Sequence, residues 1–254
     1  METDISSPLV TVIIPLYNAE LTVMNALQSA QAQSHSNLEI LVYDDASTDS
    51  SSRLATEFSQ TDPRVRVFKG IRNQGAGYAR NFLLAIAKGQ FFAFLDSDDA
   101  WFPDKIEKQV RYAEENRCKI VTAAYEIVDS EGRWQGIRIP PARIGRYRLH
   151  IANWLPTSMT LVSADLVSAR DMPLLRARQD YGYWLQIFRN NNNLWAAGMS
   201  DVVGVYTRRP GSLSSNRLTN LRNNYSMWRN IADKSVLASL ALVLLNSLSR
   251  LFRI

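Results

Sequence analysis

Two rhythms alternate along the first hundred positions. The run Val10-Thr11-Val12-Ile13-Ile14 is apolar, β-rich and closed by Pro15, so it reads as a buried strand. Residues 20–33 then space Leu21, Met24 and Leu27 as on one helix face. Residues 38–43 make a second strand ending at Asp44-Asp45, and the serines from Ser47 offer N-caps for a helix reaching about Gln60. A third strand at 65–68, a helix at 74–88 and a fourth strand at 91–95 complete the series. Four strand-helix steps in succession predict an α/β fold with a mainly parallel sheet flanked by helices. A further helix is expected over 105–115 and a strand returning to the core over 158–162.

The polar residues gather where these strands end. Pro15, Tyr17 and Asn18 follow the first, Asp44 and Asp45 the second, and Asp96-Ser97-Asp98-Asp99 the fourth. In open parallel sheets the ligand sits beyond the carboxyl ends of the strands, so all of these crowd one edge. Three carboxylates in four positions repel one another, and burying one is costly without a cation or donor. Asp96 and Asp98, spaced D-x-D in an extended segment, point to the same side. Hard oxygen donors select Mg2+ or Mn2+, which take one or two carboxylates beside phosphate oxygens, so a nucleoside diphosphate held through a divalent cation suits this edge. Asp and Ser are also ordinary turn residues, and Asp44-Asp45 alone would carry little weight.

Composition narrows the field. The chain has 254 residues, 46% of them hydrophobic, enough for one large domain or two joined halves. The single cysteine, Cys118, excludes an internal disulfide, and two histidines leave little room for a zinc site. The start, METDISSPLV, lacks the apolar run of a secretory signal, which makes a cytoplasmic location the default. From Asp201 onward eight basic residues stand against two acids, within a net charge of +5 overall. That concentration points to phosphates or an anionic membrane; a nucleic-acid binder would spread its basic residues through the fold. Gly75-Ala76-Gly77 lacks the third glycine of a dinucleotide fingerprint, with Arg80 in its place.

Four stretches, "VTVIIPLYNAE" at 10–20, "EILVYDDASTD" at 39–49, "NQGAGYARN" at 73–81 and "FFAFLDSDDAW" at 91–101, together resemble the successive motifs of family 2 glycosyltransferases. The resemblance implies the GT-A fold. It also implies an inverting transfer of a sugar from a nucleoside diphosphate, most plausibly UDP, to a hydroxyl of a glycan or lipid-linked acceptor in surface polysaccharide synthesis. By the same resemblance Pro15, Tyr17 and Glu20 line the base, Asp45 hydrogen-bonds it, Asp96 and Ser97 lie by the ribose and phosphates, and Asp98 ligates the metal. Gly77 and Arg80 belong to the donor side; Arg80 approaches either the diphosphate or the acidic cluster, and an ion pair with Asp96 that organises the fold is the structural alternative.

Further along, "RARQDYGYWLQIF" at 176–188 resembles the family segment whose Asp is the general base, here Asp180, with Gln179 where Glu is usual. Its structural alternative is a helix cap. "YTRRPGSLSSN" at 206–216 resembles the late loop over the donor phosphates, which nominates Arg208 and Arg209, with Ser212 behind them. The division expected is 1–110 for the nucleotide sugar, 111–205 for the acceptor and base, and 206–254 for the donor-covering loop and C-terminal helices. Competing functions are a catalytically impaired nucleotide-sugar-binding protein, kept open by Gln179, and a nucleotidyltransferase, which should show a glycine- and lysine-rich first loop.

Two segments bear on the acceptor. Residues 133–148 hold Trp134, two prolines and five arginines, the composition of a surface loop over a cleft, and Trp154 is a candidate for sugar stacking or for the core. Residues 235–254 surround a narrow stripe of Ser235, Ser239, Asn246, Arg250 and Arg253 with apolar positions. An interfacial helix at the inner face of an anionic membrane fits that pattern, and so does packing on the protein's own body or on a second copy in a homodimer.

Overall fold

The computed structural model describes residues 7–167, 172–175, 177–208 and 217–251; side chains at 217–220 and 248–251 fall outside the description. The alternating rhythms become β1 (Val10–Leu16), α1 (Val23–Gln31), β2 (Leu38–Asp44), α2 (Ser51–Ser59), β3 (Val65–Lys69), α3 (Ala76–Ile86) and β4 (Phe91–Phe94). Strand β1 runs one residue past Pro15. Its last pairing with β4 is Ile13 with Phe94, so the missing Pro15 N–H removes no ladder bond on that side.

The chain continues through β5 (Ala100–Trp101), α4 (Lys105–Glu115), β6 (Ile120–Asp129), β7 (Trp134–Arg138), β8 (Arg143–Gly145), α5 (Arg146–Ile151), β9 (Thr160–Ser163), α6 (Gln179–Asn190) and β10 (Trp195–Arg208). It ends with α7 (Arg217–Ser226), a π-helical turn (Met227–Ile231) and α8 (Val236–Leu251). The strands form one sheet in the order β3-β2-β1-β4-β9-β6-β10-β5, with β7 added to β6 and β8 to β10. β1 to β4 pair in parallel, whereas β9 enters antiparallel to both β4 and β6. The expected boundary at 205/206 falls inside β10.

Alternation puts apolar side chains on both faces. Val10, Val12, Ile14 and Leu16 of β1 join α1, α2 and α4 in one core; Ile13, Leu41, Tyr43 and Phe94 join α3 and α6 in the other. Each fully buried aliphatic or aromatic side chain contributes about 1.5–3 kcal/mol, which explains why these strands read as continuous apolar runs.

Two expectations need correction. Residues 133–148 are not a loop: β7 pairs antiparallel with β6, β8 pairs with β10, and α5 begins at Arg146, although most of the segment stays exposed. The backbone finds free strand edges that composition does not reveal. The returning strand starts at Thr160, because Thr157–Met159 coil into a single 3-10 turn.

Candidate active site

The carboxyl ends of β2, β1 and β4 lie side by side, so the residues after them share one edge. Tyr17 stands 47% exposed there. Asn18, in the left-handed region at φ 45°, accepts from Thr48 N at 2.8 Å through Oδ1. The exposed Glu20 spends one carboxylate oxygen on Ser50 N at 2.9 Å, tying the loop after β1 to the start of α2. Pro15 is buried in β1.

Asp44 and Asp45 divide their work. Asp44 accepts from Ser47 N at 3.1 Å within its own turn, a structural use. Asp45 is buried and accepts from Gln74 N at 2.9 Å and Gly75 N at 2.6 Å, which fastens the loop between β3 and α3 across the sheet edge. A carboxylate has about four acceptor positions, so it retains capacity for a further donor. Gly75 takes φ 89°, a conformation that suits glycine. Gly77 is buried in the first turn of α3, and a Cβ there would lie 2.9 Å from the Pro173 carbonyl oxygen. Its small size admits that neighbouring backbone.

Arg80 takes the ion pair. Its buried guanidinium contacts Asp96 Oδ1 through Nη2 and donates from Nη1 to Gln179 Oε1 at 3.4 Å. The Gln179 amide in turn donates to the Leu175 carbonyl, so both ends of this side chain are in use. Arg80 thereby links the tip of β4 to the start of α6. Asp96 N donates to Ser158 Oγ at 3.1 Å. Ser97 and Asp98 are half-buried.

Asp99 lies deepest, 2% exposed, with Oδ1 accepting from Thr207 N at 2.9 Å and Oδ2 without a hydrogen-bond partner. Burial pushes its carboxyl well above the usual range, and the charges of Asp96 and Asp98 push the same way. Burial and the same acids also raise the Tyr206 hydroxyl. Asp96, Asp98 and Asp99 gather three carboxylates within four positions, a hard oxygen donor set that a divalent cation fits. Among the described residues no three His, Cys, Asp or Glu side chains form a ready metal cage.

Asp180 lies in the first turn of α6, whose N-cap is Arg178. Its Oδ2 accepts from Asn153 Nδ2 at 2.9 Å. Arg178, just before the helix, sits at φ 65°; burial lowers its guanidinium pKa while the Asp180 charge acts to raise it. Arg208 ends β10, exposed, one residue after the Thr207 that binds Asp99. Arg209 and Ser212 lie outside the described residues. Trp154 is covered by the Arg138 guanidinium, 4.7 Å from its ring centre. Sequence reasoning missed Asn153, Arg178 and the role of Ser158 at Asp96, although Arg178 lies within the stretch 176–188 singled out for the base and Ser158 begins the strand expected to return to the core.

Comparison with known proteins agrees with this fold. TuaG of Bacillus subtilis (strain 168), a glycosyltransferase whose name assigns it provisionally to teichuronic acid biosynthesis, is 31% identical over 225 residues, covering 88% of each chain. The Escherichia coli UDP-Glc:alpha-D-GlcNAc-diphosphoundecaprenol beta-1,3-glucosyltransferase WfgD is 31% identical over 219 residues, 86% of this chain and 85% of that one. Among solved structures, S. aureus TarS 1-349 in complex with UDP superimposes with a TM-score of 0.68 at 19% identity, covering 96% of this chain and 72% of that one. The Pyrobaculum calidifontis mannosyltransferase PcManGT, in complex with GDP-Man and Mn2+, gives 0.69 at 16%, covering 96% and 75%. Both likenesses establish the GT-A fold. Residues 11–172 match the family described as glycosyl transferase family 2. With a sheet whose acidic tip at Asp96 is linked through Arg80 to Gln179 at the start of α6, and with that match over more than half its length, the chain belongs to glycosyl transferase family 2.

Proposed function

We propose that this glycosyltransferase is an inverting, divalent-cation-dependent enzyme that moves a hexosyl or N-acetylhexosaminyl group from a UDP-sugar to a hydroxyl of a lipid-linked glycan. It works peripherally at the cytoplasmic face of an anionic membrane. The observation that carries the reading is the Asp96-Arg80-Gln179 link, which joins the donor-side acids to the helix bearing Asp180.

In this reading Tyr17, Glu20 and Asp45 receive the base, with Pro15 and Gly77 shaping the backbone around it. Asp96 and Ser97 approach the ribose and phosphates, and Arg208 and Arg209 approach the diphosphate from the end of β10. Asp98 would hold the cation, with Asp99 behind it; when bound, Mn2+ or Mg2+ offsets the charge gained by the departing diphosphate. Asp180 takes the proton of the acceptor hydroxyl as that oxygen attacks the anomeric carbon opposite the leaving group. Relatives named for diphosphoundecaprenol substrates support the lipid-linked acceptor.

Thermal shift with a panel of nucleotide sugars, with and without Mn2+, tests the donor side; stabilisation by UDP compounds that grows with Mn2+ is expected. Asp180→Asn should retain that stabilisation and lose about 10²–10⁴-fold in transfer rate. Full transfer by the variant would overturn the base assignment. A wild-type chain that binds UDP-sugar and transfers nothing would be the impaired binding protein instead.

A further inference from the structure

Helix α8 is mounted with its polar side inward. Ser239 is fully buried and Asn246 is 4% exposed, with Asn246 Nδ2 donating to the His150 carbonyl at 2.6 Å and the Ile151 carbonyl at 3.1 Å, both on α5. Of the stripe legible in the sequence, Ser239 and Asn246 therefore face the protein, while Ser235, just before the helix, is exposed. Outward go Leu237 at 80%, Leu244 at 62%, Leu240 at 53% and Leu245 at 40% exposure. An ordinary surface helix does the reverse, turning its apolar stripe to the core. Exposing four leucines on one helix is unfavourable in water and invites an apolar neighbour.

The end of α8 where it leaves the π-helical turn indicates which neighbour. A cavity of about 140 Å3 there is lined by Arg146, His150, Arg189, Asp233 and Lys234, with Leu185 and Ala232. Three permanent cations face one acid. Burial, Lys234 and Arg146 together lower the His150 pKa to about 4, so it adds no charge at neutral pH. Tyr147, on the same α5, is 84% exposed and its ring lies 6.4 Å from that of His150. Leucines beside cations and an exposed tyrosine complement the acyl boundary and phosphates of a lipid surface. At about 1.5 Å per residue the helix is too short to span a bilayer, and among the described residues no helix is long and apolar enough to cross one.

We propose that the outer face of α8 docks on an anionic bilayer, with Leu237, Leu240, Leu244 and Leu245 in the acyl boundary and Arg146, Arg189 and Lys234 against lipid phosphates. The proposal deepens the function given above and rests on it for the side of the membrane served. It also connects the bilayer to the chemistry: α8 is bonded to α5 at His150 and Ile151, and two residues beyond Ile151 stands Asn153, which holds Asp180.

The test is flotation of the full chain with vesicles of phosphatidylcholine alone or with one-quarter phosphatidylglycerol. Most of the protein should float with the anionic vesicles at low salt and little with the neutral ones. Leu240→Glu with Leu244→Glu should reduce flotation to the neutral-vesicle background, and Arg146→Gln with Lys234→Gln should weaken it by roughly tenfold. UDP thermal shift on every variant confirms folding and separates the two readings, since a chain that floats without binding UDP overturns only the transferase proposal. Equal flotation of the leucine variant, or none by the wild type, overturns the docking surface. So does a wild-type dimer in sedimentation that the leucine substitutions dissociate, which would make a second copy the occupant.

Discussion

A single amide orients the proposed base. Asn153 Nδ2 donates to Asp180, and it belongs to a segment 27 positions earlier in the chain. Asn153→Ala should lower kcat about tenfold and leave the KM for the UDP-sugar in place, because no donor-side contact passes through it. Asn153→Asp would set a second carboxylate beside Asp180 and move the acid limb of the kcat/KM profile to higher pH. Unchanged kinetics in both would show Asp180 to be positioned otherwise. Asp45 and Asp98 stood out in the sequence because they follow apolar runs, where burial and charge conflict within a few positions. Asn153 carries no such local conflict; its role arises only when α6 folds back against the segment after α5. Arg80 was ambiguous for the same reason, since its charge suits a diphosphate and a carboxylate alike until Asp96 is seen beside it.

Strands and helices with one strong period were read well, while those shaped by their neighbours were not. α4 occupies the expected residues because its buried Ile106, Val110 and Ala113 repeat at helical spacing. β7 and β8 went unread because exposed, arginine-rich strands have no apolar alternation; free edges on β6 and β10 hold them. The orientation of α8 was hidden because a polar stripe on an apolar helix suits solvent or a polar docking groove, and only the α5 carbonyls decide between them. α3 offers a test at this scale. Gly77→Ala gains up to about 1 kcal/mol of helix propensity but drives a Cβ to 2.9 Å from the backbone oxygen of Pro173, a contact that flexible side chains cannot relieve. The clash should win, with a net loss of about 1 kcal/mol in urea denaturation. A more stable variant would show that the Pro173 segment yields freely.

At the scale of the whole molecule, parallel strands β1 to β4 follow from the sequence, whereas the antiparallel entry of β9 follows from packing between β4 and β6. Where those halves meet, one lysine is buried at a cost. Lys105 is fully buried at the start of α4, its Nζ 2.7 Å from Gln109 Oε1 and 4.0 Å from the centre of the Trp101 ring. Gln109 donates to the carbonyls of Val121 and Met159, and Trp101 to that of Ser158, so the lysine sits behind the residue that receives Asp96 N. Burial holds its pKa well below 10.5. The unfolded chain therefore binds a proton that the folded chain releases, and this group's contribution to stability rises with pH up to about 10.5, by at most ~1.4 kcal/mol per unit. Ionisation on unfolding of Asp99, whose folded carboxyl is held high, acts oppositely from the carboxylate range upward, and that of the buried Cys118 thiol and the tyrosines acts oppositely near and above pH 9. Urea denaturation at pH 7.0 and 8.5 of wild type and Lys105→Met side by side isolates the lysine: the wild type should gain more stability over that interval than the variant. Equal gains in the two proteins would mean that Lys105 keeps its proton inside the fold, held there by the Trp101 ring.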